Sequence, residues 1–316
     1  MEKPLISIVL CSYNRLPFLK LALQNFREEL EQIKTASMPR SEIIVVDGGS
    51  NDGSLEWLCQ QKDIITIVQH NRGTWNGKNI ERRSWGYFMN LAFKTAQGQY
   101  VCMLSDDCLL VPGALVHGLQ LIQKQRSKNI NVGAVAFYFR DWSRDTTYHV
   151  GYTLGEKMYV NHGIFLNQAL KEVDYIDEER YLFYNADGDL CLKMWQKGYL
   201  IIDSPNSYVE HYPHANVTVR KTNYSKFKQD LHNYFEKWNG IFYNRSKNNC
   251  GKIVEKYFDD TTQTGVRFES LHKEVVKQHP NIVKESLFSK INKQFRWKYR
   301  ALKKKIFTSL FSKTKN

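Results

Sequence analysis

Residues 99–115 read QYVCMLSDDCLLVPGAL, an apolar run that stops at two adjacent carboxylates, Asp106 and Asp107. Side by side in water the two would repel each other, and buried together they would raise one another's pKa. A cation is therefore the natural third member of the group. Taken alone, the pair could equally cap the helix that Pro112 opens or sit on a solvated turn.

Working outward, four more short runs share the character of residues 100–104 (YVCML): 5–10 (LISIVL), 43–47 (IIVVD), 64–68 (IITIV) and 132–139 (VGAVAFYF). They are rich in β-branched and aromatic residues with little alternation, as expected of strands covered on both faces. Helical spacing appears between them, at 17–34 with Pro17 in the first turn, at 54–61, at 82–97 and at 112–126. Strand and helix alternate, which predicts an α/β fold with a mostly parallel sheet flanked by helices. In such sheets ligands bind beyond the carboxyl ends of the strands. Those ends carry CSYNR, DGGSNDGS and SDDC, so three polar or acidic loops are expected along one edge. Farther on, Asp187 to Lys197 has helical spacing, a strand (YLIID) follows, and two amphipathic helices are expected at about 224–242 and 266–278.

With 316 residues, 42% hydrophobic and 13% aromatic, the chain can bury a large core, and disorder throughout is excluded. The six cysteines form no CxxC pair and several lie in apolar runs, a usage that suits free thiols in a reducing, cytoplasmic setting. The first apolar stretch, Leu5 to Leu10, is too short for a signal peptide core or a membrane span. The formal net charge of +13 is placed unevenly. Residues 286–316 carry Lys290, Lys293, Arg296, Lys298, Arg300, Lys303, Lys304, Lys305, Lys313 and Lys315 and no acid. Leu287, Phe288, Ile291, Phe295, Trp297 and Leu302 recur among them near helical spacing, the pattern of a helix lying in an anionic membrane surface. Contact with nucleic acid is the disfavoured reading of the same charge.

ISIVLCSYNR, IIVVDGGSNDGS, AQGQYVCMLSDDCLLVPGAL, NHGIFLNQALKEVDYIDE, NADGDLCLKMWQKGY and VEHY resemble, in order and spacing, the signature blocks of family 2 inverting glycosyltransferases with a GT-A fold. The resemblance covers about residues 5–213. It implies transfer of a sugar from a nucleotide-diphosphate donor to an acceptor hydroxyl, with inversion and with Mn²⁺ or Mg²⁺. By the same match, Asp107 holds the metal and Asp106 contacts the donor ribose, with Ser105 where a fuller motif has its leading acid. Cys11 and Tyr13 would lie along the base, Ser12 and Asn14 would shape the turn, and Asp47 would bond the nucleoside. Gly48 stands where several uridine-using relatives carry an acid. Arg82 or Arg83 would reach the diphosphate, with Arg72 and Lys78 as alternatives in the loop before.

The family's base is an acid opening a helix, and Asp187 falls on that position, with Ala186 in place of the usual Glu. Asp189 would support it or cap the helix. His211 would complete the metal or diphosphate site, with His214 as competitor. The organisation expected is a catalytic domain over 1–215, a helical C-terminal region over 216–285 packed on it, and the basic tail over 286–316. The setting expected is synthesis of a bacterial cell-surface polysaccharide or glycolipid, at the inner face of the cytoplasmic membrane, with a saccharide or lipid-linked saccharide acceptor. A non-catalytic lipid- or nucleic-acid-binding protein of the same fold is the alternative.

Overall fold

The computed structural model describes residues 3–34, 41–244 and 252–280. Two compact units are distinguished, residues 1–267 and residues 268–316. The second contains, among the described residues, one helix. The basic stretch 286–316 and Cys250 lie outside the described residues.

The first unit begins with β1 (Ile6–Ser12), α1 (Leu16–Lys34), β2 (Ser41–Asp47), α2 (Ser54–Cys59) and β3 (Ile64–Val68). A small hairpin of β4 (Thr74–Trp75) and β5 (Lys78–Asn79) precedes α3 (Trp85–Thr95) and β6 (Tyr100–Met103). Strands β3, β2, β1 and β6 lie side by side and parallel. Their residues explain this. Ile6, Ile8, Val9 and Leu10 of β1 and Ile43 to Val46 of β2 are all buried, so both faces are covered. Full burial of one such side chain contributes about 1.5–3 kcal/mol. Helix α1 presents Phe18, Leu19, Ala22, Leu23, Phe26, Leu30 and Ile33 at helical spacing and buries them all.

The chain continues through β7 (Cys108–Leu110), α4 (Ala114–Ser127), β8 (Val132–Asp141), β9 (Tyr148–Gly151), β10 (Gly163–Leu166), α5 (Asn167–Glu172), α6 (Ala186–Gln196) and β11 (Leu200–His211). Strand β10 runs antiparallel between β6 and β8. A Cβ at Gly163 would lie 2.1 Å from the carbonyl oxygen of Val135, so only glycine lets β10 approach β8 this closely. Strand β11 is far longer than the YLIID expected from sequence. Pro205 interrupts it, the register with β8 shifts between Ser204 and Tyr208, and pairing resumes to His211. That second half also pairs with β7, setting His211 opposite Cys108.

Two buried polar side chains of α1 fix the segment after the acid pair. Asn25 accepts from the amide of Leu110 (2.6 Å) and donates to its carbonyl (3.0 Å). The Glu29 carboxylate accepts from the amides of Gly113 (2.8 Å) and Leu115 (3.0 Å), which caps α4 from outside. Asp106 and Asp107 are thereby left free of capping duty.

Beyond β11 come α7 (Val217–Tyr224), α8 (Phe227–Trp238) and β12 (Ile253–Lys256), and the second unit holds α9 (Glu269–Gln278). The helix expected over 224–242 is α8, shorter at both ends, and α7 precedes it where no helix was expected. Asn216 caps α7 by accepting from Val219 N–H (3.0 Å), and the chain turns at Ser225–Lys226 before α8. The described cysteines, Cys11, Cys59, Cys102, Cys108 and Cys191, are free thiols. Among the described residues no helix is long and apolar enough to cross a membrane.

Candidate active site

A cavity of about 500 Å³ opens beyond the carboxyl ends of β1, β2 and β6. Of the residues singled out in the sequence, Cys11, Ser12, Tyr13, Gly48, Arg72, Arg82, Arg83, Asp106, Asp107, Asp187 and His211 line it. Asn14, Asp47, Lys78, Asp189 and His214 do not.

The acid pair is buried, Asp106 to 1% exposure and Asp107 to 6%. Its counter-charge is a residue that the sequence reading passed over. Arg15 places Nη1 2.7 Å from Asp106 Oδ1 and 2.9 Å from Asp107 Oδ2. Ser12 Oγ donates to the other oxygen of Asp106 (2.8 Å). Burial pushes Asp106 up to about 6, with Arg15 opposing and the neighbouring Asp107 adding to the rise. Burial would raise Asp107 too, but Arg15 and His211 outweigh it and hold this carboxyl below its usual range. Of the two, Asp107 is the one that stays ionised to lower pH.

His211 stands on the far side of Asp107, Nε2 3.7 Å from Oδ1, while its Nδ1 lies 2.8 Å from Asp141 Oδ1. The backbone locks this arrangement, because Tyr212 N–H donates to the Asp107 carbonyl (2.8 Å). A carboxylate behind a histidine fixes the ring and directs the other nitrogen forward, the arrangement common behind metal-binding imidazoles. Burial would lower the His211 pKa, and Asp107 and Asp141 together raise it instead. Asp107 Oδ1 and His211 Nε2 thus offer one hard oxygen and one nitrogen to a divalent cation. Among the described residues no group of three or more His, Cys, Asp or Glu is arranged to hold an ion unaided. The remaining ligands would have to come from the bound substrate and water, as Mg²⁺ sites that use substrate phosphates do.

The cavity is otherwise basic. Arg72, Arg82, Arg83 and Arg220 all line it. Arg83 has Glu81 at 3.6 Å, and among the described residues the other three have no carboxylate within ion-pair distance. Arg82 is held by the side-chain oxygen of Asn223 on α7, and burial lowers its pKa, with Arg72 adding to the fall. Arg72 lies 5.5 Å over the Tyr13 ring. Arg82 and Arg83 both line the cavity, Arg83 with its side chain exposed.

Asp187 sits in the first turn of α6, half-buried. Its Oδ1 accepts from Gly188 N–H (2.8 Å) and its Oδ2 from the Asn161 amide (3.2 Å). Burial raises its pKa and these two bonds oppose the rise. The result is an oriented carboxylate of increased basicity facing the cavity. Asp189, two residues on, is fully buried and accepts from Tyr181 Oη (3.0 Å), Lys237 Nζ (2.9 Å) and Trp238 Nε1 (2.9 Å). Its carboxylate ties α6 to α8.

Asp47, expected on the nucleoside, has no exposed surface. Its Oδ1 accepts from the amides of Gly49 (2.8 Å) and Ser50 (2.7 Å) and its Oδ2 from the Ser50 hydroxyl (2.7 Å). The tight turn after β2 leaves those amides without sheet partners, and the carboxylate supplies them. Asn14, at φ 51°, likewise braces the turn by accepting from Asn51 N–H (2.9 Å). His162 also lines the cavity. Burial pushes it down to about 3, and its Nε2 is 3.0 Å from Cys108 Sγ.

The family model described as Glycosyl transferase family 2 matches residues 7–178, more than half of the chain. A protein of Rickettsia bellii (strain RML369-C), named an uncharacterized glycosyltransferase, is 25% identical over 214 residues, covering 63% of this chain and 29% of that protein. One from Rickettsia typhi (strain ATCC VR-144 / Wilmington), named likewise, is 26% identical over 129 residues, covering 41% of this chain and 35% of that protein. The matches thus span about a third of the length of these curated relatives. Among solved structures, the mannosyltransferase PcManGT from Pyrobaculum calidifontis, in complex with GDP-Man and Mn²⁺, aligns with a TM-score of 0.52 and 17% identity, over 77% of this chain and 67% of that one. A basic cavity at the strand ends, an acid pair in its floor and a family model that matches across that pair lead to one conclusion: this chain belongs to glycosyl transferase family 2 and has the GT-A fold.

Proposed function

We propose that this chain moves a sugar from a nucleotide-diphosphate donor to an acceptor hydroxyl with inversion, using Mn²⁺ or Mg²⁺. The observation that carries the reading is convergence: Asp187, the Asp107 and His211 pair and the four arginines open on one cavity. The similarly folded mannosyltransferase holds GDP-Man and Mn²⁺, which supports the choice of donor class and ion. Asp107 and His211 would hold the divalent cation, which would supply positive charge to stabilise the leaving diphosphate.

The chain's own groups do the rest. Arg72 and Arg82 bind the diphosphate with charges that, among the described residues, no carboxylate pairs at ion-pair distance, and Tyr13, with Cys11 and Gly48 beside it, forms the wall for the base. Asp187 takes the proton of the acceptor hydroxyl as it attacks, and Gly188 N–H and the Asn161 amide aim the accepting oxygen. The test is turnover across a panel of GDP-, UDP- and dTDP-sugars. At least one donor should be cleaved, the reaction should stop with EDTA, and Mn²⁺ or Mg²⁺ in excess should restore it. Cleavage undiminished by EDTA would contradict the metal assignment, and no cleavage of any donor would contradict the enzyme reading.

The basic stretch 286–316 supports a second element of the proposal, attachment to an anionic membrane surface where a lipid-linked acceptor resides. Deleting residues 286–316 should abolish co-sedimentation with phosphatidylglycerol vesicles at about 0.1 M salt, where surface charge is only partly screened. Retained binding would refute it.

A further inference from the structure

The loop that leads into α6 is held with unusual firmness. Three successive amides, those of Leu182, Phe183 and Tyr184, donate to the Asp230 carboxylate at 3.0, 3.0 and 2.9 Å. Asp230 lies in the first turn of α8 and is 2% exposed. The Leu182 carbonyl accepts from Trp85 N–H (2.8 Å). Backbone groups pinned this well normally serve buried packing, yet the side chains they present are open. Phe183 is 37% exposed, and Tyr224 at the end of α7 is 67% exposed.

These rings form one contiguous surface. Tyr224 and Phe227 are stacked, centroids 5.7 Å apart and planes 8° from parallel. Tyr184 meets both edge-on, at 6.4 and 5.2 Å, and Phe183 packs on Tyr184 at 5.1 Å. Trp85 continues the row beyond Phe183, at 6.3 Å. Trp85, Phe183 and Tyr184 line the cavity, and three residues after Tyr184 the chain reaches Asp187.

We propose that Phe183, Tyr184, Tyr224 and Phe227 form the subsite for a pyranose ring of the acceptor saccharide, beside the base. The inference rests on the transferase reading of the cavity and names the class of its second substrate. A sugar ring carries C–H groups on its faces and hydroxyls at its edge. The negative face of an aromatic ring attracts those C–H groups, and polar neighbours are needed for the hydroxyls. Both are present, since Asn223 and Arg220 reach the cavity beside the rings and the two tyrosines add hydroxyls of their own. A lipid chain would offer these polar groups nothing further to bond. A nucleobase has Tyr13 at the other wall. The clamp by Asp230 holds the rings in place before the ligand arrives, which reduces the ordering that binding requires.

The experiment is saturation-transfer NMR with the methyl glycosides of glucose, galactose, mannose and N-acetylglucosamine, on the full chain with Mg²⁺ and GDP or UDP. Farnesyl phosphate serves as the lipid arm. At least one glycoside should receive saturation on its ring C–H protons. Its binding should weaken roughly tenfold in Tyr224→Ala and in Phe183→Ala, and recover in Tyr224→Trp. Tyr224→Ala should leave the thermal unfolding midpoint and nucleoside diphosphate affinity unchanged. Glycoside binding that is equal in wild type and both alanine variants would overturn the proposal. So would the absence of saturation on every glycoside, or ring-dependent binding of farnesyl phosphate alone. Loss of nucleotide binding in the wild type would instead sink the transferase reading itself.

Discussion

Asp187→Asn is expected to lower the rate of sugar transfer about 10³-fold, within the range that a positioned general base contributes. The substitution keeps the size of the side chain and an oxygen that can accept from Gly188 N–H, so the fold and the donor site should survive. What is lost is the lone pair that takes the acceptor's proton. The wild-type enzyme should show the matching pH dependence. A base works only when ionised, so kcat/KM should fall as pH drops through the Asp187 pKa. Burial places that acid limb above the ordinary carboxylate range. Product formation from a cleaved donor, followed across pH for both proteins, measures both effects. A variant retaining a tenth or more of wild-type turnover would remove Asp187 from the role.

Arg15→Met should destabilise the protein by about 3–5 kcal/mol, because it leaves a buried charged group without its partner. For a unit of this size that is a fall of roughly 10 °C in Tm. Asp106 and Asp107 share one guanidinium group at 2.7 and 2.9 Å, and among the described residues no other cationic group stands as close to them. Without it the pair must take up a proton or accept another cation. The same variant should therefore gain more stability from added Mn²⁺ than the wild type does, since the ion no longer competes with a resident charge. Calorimetric unfolding with and without Mn²⁺ reads both quantities. An unchanged Tm, or an equal response to Mn²⁺ in the two proteins, would show that Arg15 is not the counter-ion.

The sheet was legible because its strands are short, β-branched and buried on both faces, a pattern that competes with little else. The acid pair was legible for a related reason: two carboxylates at the end of an apolar strand demand a cation. Which cation was not legible. Arg15 lies ninety-one residues before Asp106, and only the parallel pairing of β1 with β6 brings it alongside. Asp47 misled because an acid at a strand end looks the same whether it faces a ligand or closes its own turn. The difference lies in the amides of Gly49 and Ser50, which need a partner once that turn forms. Asn161 and His162 carried no periodic signal, and their place beside Asp187 and Cys108 comes from the antiparallel insertion of β10. The wall formed by α7 was hidden by the polar composition after residue 215, which gives no hint of which side chains turn inward.

The proposed cation would be held by Asp107 and His211 against the diphosphate. Titration of GDP and UDP into the protein by calorimetry, with and without Mn²⁺, tests this directly. At least one nucleotide should bind more than tenfold tighter with Mn²⁺, and Asp107→Asn should abolish that gain while Asp187→Asn keeps it. Nucleotide affinity indifferent to Mn²⁺, or a gain that survives Asp107→Asn, would contradict it.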